Sequence, residues 1–476
     1  MENNRKGENS PLKKLGGNIL IFAIGSFACK LMGYVMLPFY TSVLSQAEYG
    51  AYDIVLTTSN LLMPIFTLLI TEATFRFALD KENDSRKVFT LSVYTVSVGL
   101  LVYVAFSPLI LLSKAYKQYY LHFIIYHVLS TLHTLLSQYC KGISKTKEYA
   151  VCGIIGTAVI LFSNVLLMSV LHMGLMGYFI SSYLGTIFSC IYLAIKCDIL
   201  HSIVPITKKD SPLFVSMLRY SIPIMPNSIS WWISTSSDKY IISWFAGQDQ
   251  VGLYSVAYKI PSLMTMFTTI FFSAWQISSV DDFGSEESKY MFSTVYKMFF
   301  SVVVLVSCGI IVFSKIITSI LFAQSYFDAW RFVPYLVVAY VFHDLAAFMG
   351  SIYTAGKNTK MLFYSTLAGA GINIVLNCVF ISRYGAVGGA ITTLISYFAV
   401  YVIRRTDIKR IMEFQIGGKR NTICLALLCL EMIICELGSK ISFVLNLCCF
   451  AVMLCLQYST IKNIIIKVFR KGAINA

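Results

Sequence analysis

An all-α membrane protein of about fourteen transmembrane helices is the fold class this sequence predicts. Three observations predict it. Of its 476 residues, 57% are hydrophobic and 13% charged, with a mean hydropathy of +0.71, whereas a soluble domain carries roughly 25% charged residues. The apolar residues fall into runs of about 20, the length a helix needs to cross the hydrocarbon core, and too long and too continuously apolar for barrel strands. Lysine and arginine gather in alternate loops: about 25 of the 38 basic residues lie on the side of the N-terminus and about 5 on the other.

In chain order the runs place spans near 17–40, 51–71, 88–112, 119–140, 150–172, 174–196, 219–246, 252–276, 291–313, 331–352, 361–381, 385–403, 421–437 and 441–459. The charge bias puts both termini in the cytoplasm. The acidic loop DDFGSEESK at 281–289 falls on the same side, but acidic residues count for little in that rule. The head MENNRKGENSPLKKLGG is polar and the apolar run after it lacks a small-residue cleavage site, so no removable signal peptide is expected. Pro38 after Gly33 marks a bend in the first span, and Pro223 and Pro226 mark one in the seventh.

Two internal matches show a duplication. GLMGYFISSYL from Gly174 aligns with GAVGGAITTLI from Gly385, and EYGAYDIVLTTS from Glu48 aligns with QVGLYSVAYKIPS from Gln250. Six spans per half, an even number, relate the two lobes by an axis along the membrane normal. The expected organisation is therefore an N-lobe at 1–200, a linker at 201–213 with two prolines and a basic pair, a C-lobe at 214–405, and two additional helices with a cytoplasmic tail at 406–476. Parallel lobes of this kind rock about a central cavity, which predicts a transporter.

The net charge of +15 follows from the loop bias and has no basic domain to carry it, so nucleic acid is not an expected partner. The thirteen cysteines lie mostly within spans and read as small core residues. His122, His127 and His133 are spaced by five and six, which scatters them round one helix, so no metal centre and no cofactor are expected. An enzyme is not expected either, since no sizeable loop bears catalytic acids, and a channel lacks a filter motif or charge ring.

Charges placed inside spans are the candidate site residues, because each costs at least about 2.5 to 3.5 kcal/mol and must face water or a partner. Lys30 lies near the middle of the first span. Asp238 and Lys239 lie about 10 to 13 Å inside the outer end of the seventh, and Lys259 lies about 10 Å inside that of the eighth. One aspartate against three lysines leaves a net positive layer suited to a diphosphate, while the structural alternative is an ion pair that only holds helices together. Trp231 and Trp232 lie too deep for an interfacial belt and are placed either for stacking on sugar or for packing. Trp244, Trp275 and Trp330 lie near ends and read as belt anchors. His343 and Asp344 form a protonatable pair in the tenth span, suited to ion coupling or to simple burial as a pair. Glu72 and Arg76, at i and i+4, are a candidate gate pair.

The string SSDKYIISWFAGQDQVGLYSVAYKI at 236–260, the early LPFYTSVLSQAEYGAYDIV and the Gly-rich GAVGGAITT resemble the Wzx-type polysaccharide flippases, within the superfamily of lipid II flippases and multidrug antiporters. The likeness extends over roughly residues 15–405. It implies a fourteen-helix, two-lobed protein of the bacterial inner membrane that flips an undecaprenyl-diphosphate-linked oligosaccharide to the periplasmic leaflet for O-antigen or capsule assembly. It also implies a cationic cavity, membrane lipid around it, and a polysaccharide polymerase and chain-length regulator as partners. The alternative on the same scaffold is a multidrug or organic-cation antiporter, whose cavity acids should outnumber its bases because its cargo is cationic.

Overall fold

The computed structural model describes residues 31–80, 82–278, 286–355, 360–412 and 417–474, and those residues are helical throughout, with no strand among them. The expected first span lies mostly outside the described residues. Every later one falls on a helix. Among the described residues seven helices are long and apolar enough to cross a bilayer, with an eighth if the bent pair Gln46–Phe66 and Ile70–Ala78 counts as one span. The other expected spans lie on helices that are interrupted or carry more polar residues.

The chain forms two compact units, Met1–Trp232 and Ile233–Ala476, which divide within one helix. In the first unit the helices are α1 (Leu37–Val43), α2 (Gln46–Phe66), α3 (Ile70–Ala78), α4 (Ser85–Phe106), α5 (Tyr120–Gly142), α6 (Thr146–Asn164), α7 (Gly174–Lys196) and α8 (Ser211–Ser221). Pro38 sits in the first turn of α1, where its missing N–H costs nothing. Ser45 opens α2 with a capping box: its hydroxyl accepts from the Glu48 N–H at 3.3 Å while the Glu48 carboxylate accepts from the Ser45 N–H at 2.9 Å.

The second expected span, 51–71, is not one straight helix. α2 and α3 meet at 67°, and both Leu68 (φ 51°) and Leu69 (φ 53°) hold left-handed backbone. The neighbouring α4 accommodates the break with Gly99, where a Cβ would stand 2.0 Å from the carbonyl oxygen of Phe66. Below the break, Ile70, Ala73 and Ala78 pack into a core with Val88, Phe89, Leu135, Tyr139 and Met217. α6 and α7 approach through small residues: a Cβ on Gly156 would lie 2.3 Å from Ser189 Oγ.

The second unit holds most of α9 (Met225–Ala246), then α10 (Gln248–Ala257), α11 (Lys259–Ser278), α12 (Glu286–Val312), α13 (Ser314–Leu321), α14 (Val333–Ala355), α15 (Lys360–Asp407), α16 (Lys419–Glu436) and α17 (Lys440–Ile474). Before α9, the turn Ile222–Ile224, with Pro223 in it, has 3₁₀ geometry. α15 carries two expected spans in one helix with a kink at Gly385, whose φ of 58° suits glycine alone. The duplication is visible here: Gly385 matches Gly174 (φ 51°), and Gly388, where a Cβ would stand 2.4 Å from the Phe380 carbonyl, matches Gly177, with 3.1 Å to Leu167.

Trp275 departs from the expected belt. It is 5% exposed, donates to Ser351 at 2.9 Å and packs among Phe271, Phe292 and Phe348, so it belongs to the core. Trp244 is 86% exposed, as a belt residue should be. The described cysteines are free thiols. His122 bonds to Tyr183 (2.8 Å) and His127 to Ser59 (3.1 Å), each in its own packing environment.

Candidate functional site

The polar residues of the second unit converge where α9, α10, α14 and α15 meet. α9 supplies them because its sequence, SISWWISTSSDKY, sets serines, Asp238 and Lys239 within a helix otherwise apolar enough to sit in a bundle. Adjacent residues on a helix point about 100° apart. Asp238 and Lys239 accordingly reach different partners.

Asp238 is 2% exposed, and its carboxylate is held by neutral donors. The Tyr254 hydroxyl donates to it in a short bond, Thr393 donates at 3.4 Å, and the Lys239 backbone N–H donates at 2.9 Å. A carboxylate buried without such donors is strongly unfavourable, so these three bonds are what allow it to sit there. Tyr254 and Thr393 repeat a bond of the first unit. Tyr52 and Ser182, their equivalents in the two internal matches, are joined at 2.7 Å.

Lys239 is 7% exposed, with its ammonium 5.7 Å from the centre of the Tyr258 ring. That geometry lets the ring face stabilise a desolvated cation. Tyr258 packs edge-on against Tyr340 (5.6 Å), and Tyr340 and Tyr397 both flank His343, at 5.5 and 5.2 Å. His343 Nδ1 lies 2.9 Å from Asp344 Oδ1, which also accepts from Thr268 at 3.5 Å. Asp344 is 1% exposed, and its second oxygen has no hydrogen-bond partner. The structure thus brings Lys239 and the His343–Asp344 pair into one aromatic-walled cluster.

Beside it lies an amide network that the sequence reading did not single out. Ser237 donates to Asn373 at 3.1 Å, Asn377 donates to Asn373 at 2.9 Å, and Thr392 donates to Asn377. Two asparagines at i and i+4 inside an apolar run were the available signal. Arg404 is also buried, donating to Ser365 (2.9 Å), Thr366 (3.0 Å) and the Ala346 carbonyl (2.9 Å), and so ties α15 to α14. Glu431 of α16 is fully buried and accepts from the Cys308 thiol at 2.9 Å.

Lys259, at the start of α11, is half-buried. Trp232 donates from its indole to the Thr57 carbonyl at 2.8 Å, and Trp231 is 46% exposed. Glu72 accepts from Gln138 at 2.7 Å, while Arg76 one turn on is exposed. Lys30 lies outside the described residues.

Several long apolar helices, with charged side chains buried among the helices of the second unit, make this a polytopic membrane protein. Residues 15–276 match the family described as polysaccharide biosynthesis protein, and the chain belongs to that family. A probable low-salt glycan biosynthesis flippase of Haloferax volcanii is 26% identical over 187 residues, 38% of this chain and 39% of the relative. An uncharacterized membrane protein of Methanocaldococcus jannaschii is 26% identical over 205 residues, 42% and 47% of the two chains. These matches span less than half the length of the curated relatives. Among solved structures, the lipid II flippase MurJ in an inward closed conformation is similar over 94% of this chain and 100% of that one (TM-score 0.67, 15% identity). An inward-facing multidrug resistance MATE transporter is similar over 81% and 95% (TM-score 0.64, 13% identity).

Proposed function

We propose that the protein is a flippase that moves an undecaprenyl-diphosphate-linked oligosaccharide from the cytoplasmic to the outer leaflet of a bacterial inner membrane, supplying repeat units for O-antigen or capsule assembly by alternating access. The observation that carries the reading is membership of the polysaccharide biosynthesis family across residues 15–276, the part of the chain holding Lys239 and Lys259. In this reading fourteen spans form lobes at 1–200 and 214–405 about the linker 201–213, with both termini cytoplasmic. Lys239, Lys259 and Lys30 line a cationic cavity, and Asp238 tempers its charge while fixing α9. Trp231 offers an open ring face to sugar, and Trp232 anchors the helix beneath it. His343 and Asp344 couple the cycle to an ion, and Glu72 and Arg76 gate it. A diphosphate brings about two negative charges, which the lysines match better than an organic cation would. A polysaccharide polymerase and chain-length regulator would take up the product.

Deletion of the gene in its host tests the reading. The expected outcome is loss of a surface polysaccharide with accumulation of a lipid-linked repeat unit on the cytoplasmic side. An unchanged surface glycan with altered drug tolerance would instead assign the antiporter role.

A further inference from the structure

The segment GGKR at 417–420 has no part in the proposed translocation site, yet the fold gives it a definite place. Where α12 and α16 come together, an open recess of about 210 Å³ is lined by Ser293, Tyr296 and Lys297 of α12 and by Gly417, Gly418, Arg420 and Asn421 at the head of α16. Its two charged lining residues come from two different helices, and both are cations. Among the described residues that line it there is no carboxylate.

The backbone contributes as well. Gly418 caps α16 with no side-chain hydrogen bond, and the Asn421 N–H already turns back to the Gly418 carbonyl. The N–H groups of Lys419 and Arg420, in the first turn of an 18-residue helix, therefore have no intrahelical acceptor, and Arg420 is among the residues lining the recess. A Cβ at Gly418 would meet nothing within 4 Å, so there is open space against that backbone. Cations, a helix N-terminus and free volume together select an anion with several acceptor oxygens.

The level in the bilayer narrows the chemistry. α16 carries charged residues in its first two positions, Lys419 and Arg420, and its apolar stretch begins at Ile423, so in the proposed fourteen-span arrangement the recess falls at the level of the lipid headgroups. Basic recesses between spanning helices at that level hold phosphate-bearing headgroups. We propose that this recess is a binding site for a phosphate group, distinct from the translocation site, with Lys297 and Arg420 as its charged ligands. The phosphate belongs either to the headgroup of an anionic phospholipid or to a soluble phosphate or diphosphate.

The test is a binding measurement, so it stands or falls independently of transport. The purified full-length protein is offered phosphatidylglycerol, phosphatidylcholine of the same acyl chains, and inorganic pyrophosphate, with retained lipid read by native mass spectrometry and pyrophosphate by calorimetry. Lys297→Gln with Arg420→Gln should weaken binding of the preferred probe at least about tenfold, because each basic group near a membrane surface contributes appreciably. Gly418→Asp is the second variant. It places a carboxylate cap where the phosphate would sit and favours the helix, so it should abolish binding while leaving the melting temperature equal or higher. Loss of phosphatidylglycerol alone assigns the site to lipid, and loss of pyrophosphate binding assigns it to a soluble phosphate. Variants that stay folded and bind all three probes as the parent does overturn the proposal.

Discussion

At the residue scale, the two lysines retained within the described part of the candidate cavity occupy different surroundings, and that difference is testable. Lys239 is buried with its stem packed and its ammonium over Tyr258, whereas Lys259 is only half-buried. Removing Lys259 takes away charge and little packing. Removing Lys239 takes away both. Lys259→Ala is therefore expected to cut export of the lipid-linked unit at least about tenfold with membrane abundance within about twofold of the parent, while Lys239→Ala lowers export and abundance together. Immunoblotting alongside glycan quantification in a complemented deletion strain separates the two. Asp238 responds to shape more than to charge, because its donors are Tyr254, Thr393 and a backbone N–H. In Asp238→Asn an amide oxygen in the place of Oδ2 still accepts from both Tyr254 and Thr393, and only the bond from the Lys239 N–H, which then meets the amide nitrogen in the place of Oδ1, is lost. Asp238→Ala leaves those donors buried and unmet, at a cost of about 1 to 3 kcal/mol. Thermal melting of the purified variants should show a clear drop for alanine and only a small one for asparagine, and equal drops would contradict this account of the site.

At the element scale, helix breaks and linker ties set how the units are built. Gly99 and Gly388 face backbone carbonyls at 2.0 and 2.4 Å from where a Cβ would stand, and backbone cannot rotate out of the way as a side chain can. Gly371, on the exposed face of α15, has nothing within 4 Å. Gly99→Ala and Gly388→Ala are expected to abolish recoverable folded protein in detergent, judged by size-exclusion profile. Gly371→Ala should match or exceed the parent, since alanine is favoured over glycine in a helix by about 1 kcal/mol. The linker is tied to α4 by the Lys87–Asp210 pair at 2.7 Å, with Thr207 closing a capping box on the same carboxylate. Lys87 and the Thr207 N–H and hydroxyl hold the Asp210 carboxyl down to about 2, from an ordinary 3.8. A depressed folded-state value means the tie is fully present above about pH 4 and is lost as pH falls through about 2. At neutral pH, Asp210→Asn mimics that loss, and trypsin should then cut after the exposed Lys208 and Lys209 faster than in the parent.

At the scale of the whole molecule, the helical membrane fold was legible because spans are written in long apolar runs, and the duplication was legible because both GxxG corners need glycine for the same steric reason. The break at Leu68 and Leu69 was not, since leucine carries no mark of left-handed backbone and the bend depends on Gly99 of another helix. Likewise Asp238, Lys239, His343 and Asp344 could be picked out as costly charges, but their partners Tyr254, Tyr258 and Thr393 are ordinary residues until the fold brings them together. The energy source of the proposed cycle is a property of the whole assembly. A diphosphate-linked lipid moving outward carries about two negative charges toward the positive side, each worth about 2.3 kcal/mol per 100 mV if it crosses the full field. Cavity lysines neutralise that cargo on the way out and then carry their positive charge back toward the negative side, a step the potential itself favours and which a proton or cation travelling with them would speed. In the proposed cycle Asp344 is the residue that takes up that ion; one of its oxygens bonds to His343 and the other has no hydrogen-bond partner. Flipping of a fluorescent lipid-linked oligosaccharide in proteoliposomes is therefore expected to slow when the potential is collapsed with an ionophore, and to slow further in Asp344→Asn. If the rate is indifferent to potential, pH gradient and sodium gradient alike, consumption of the flipped lipid is left as the driving force and the buried pair serves packing alone.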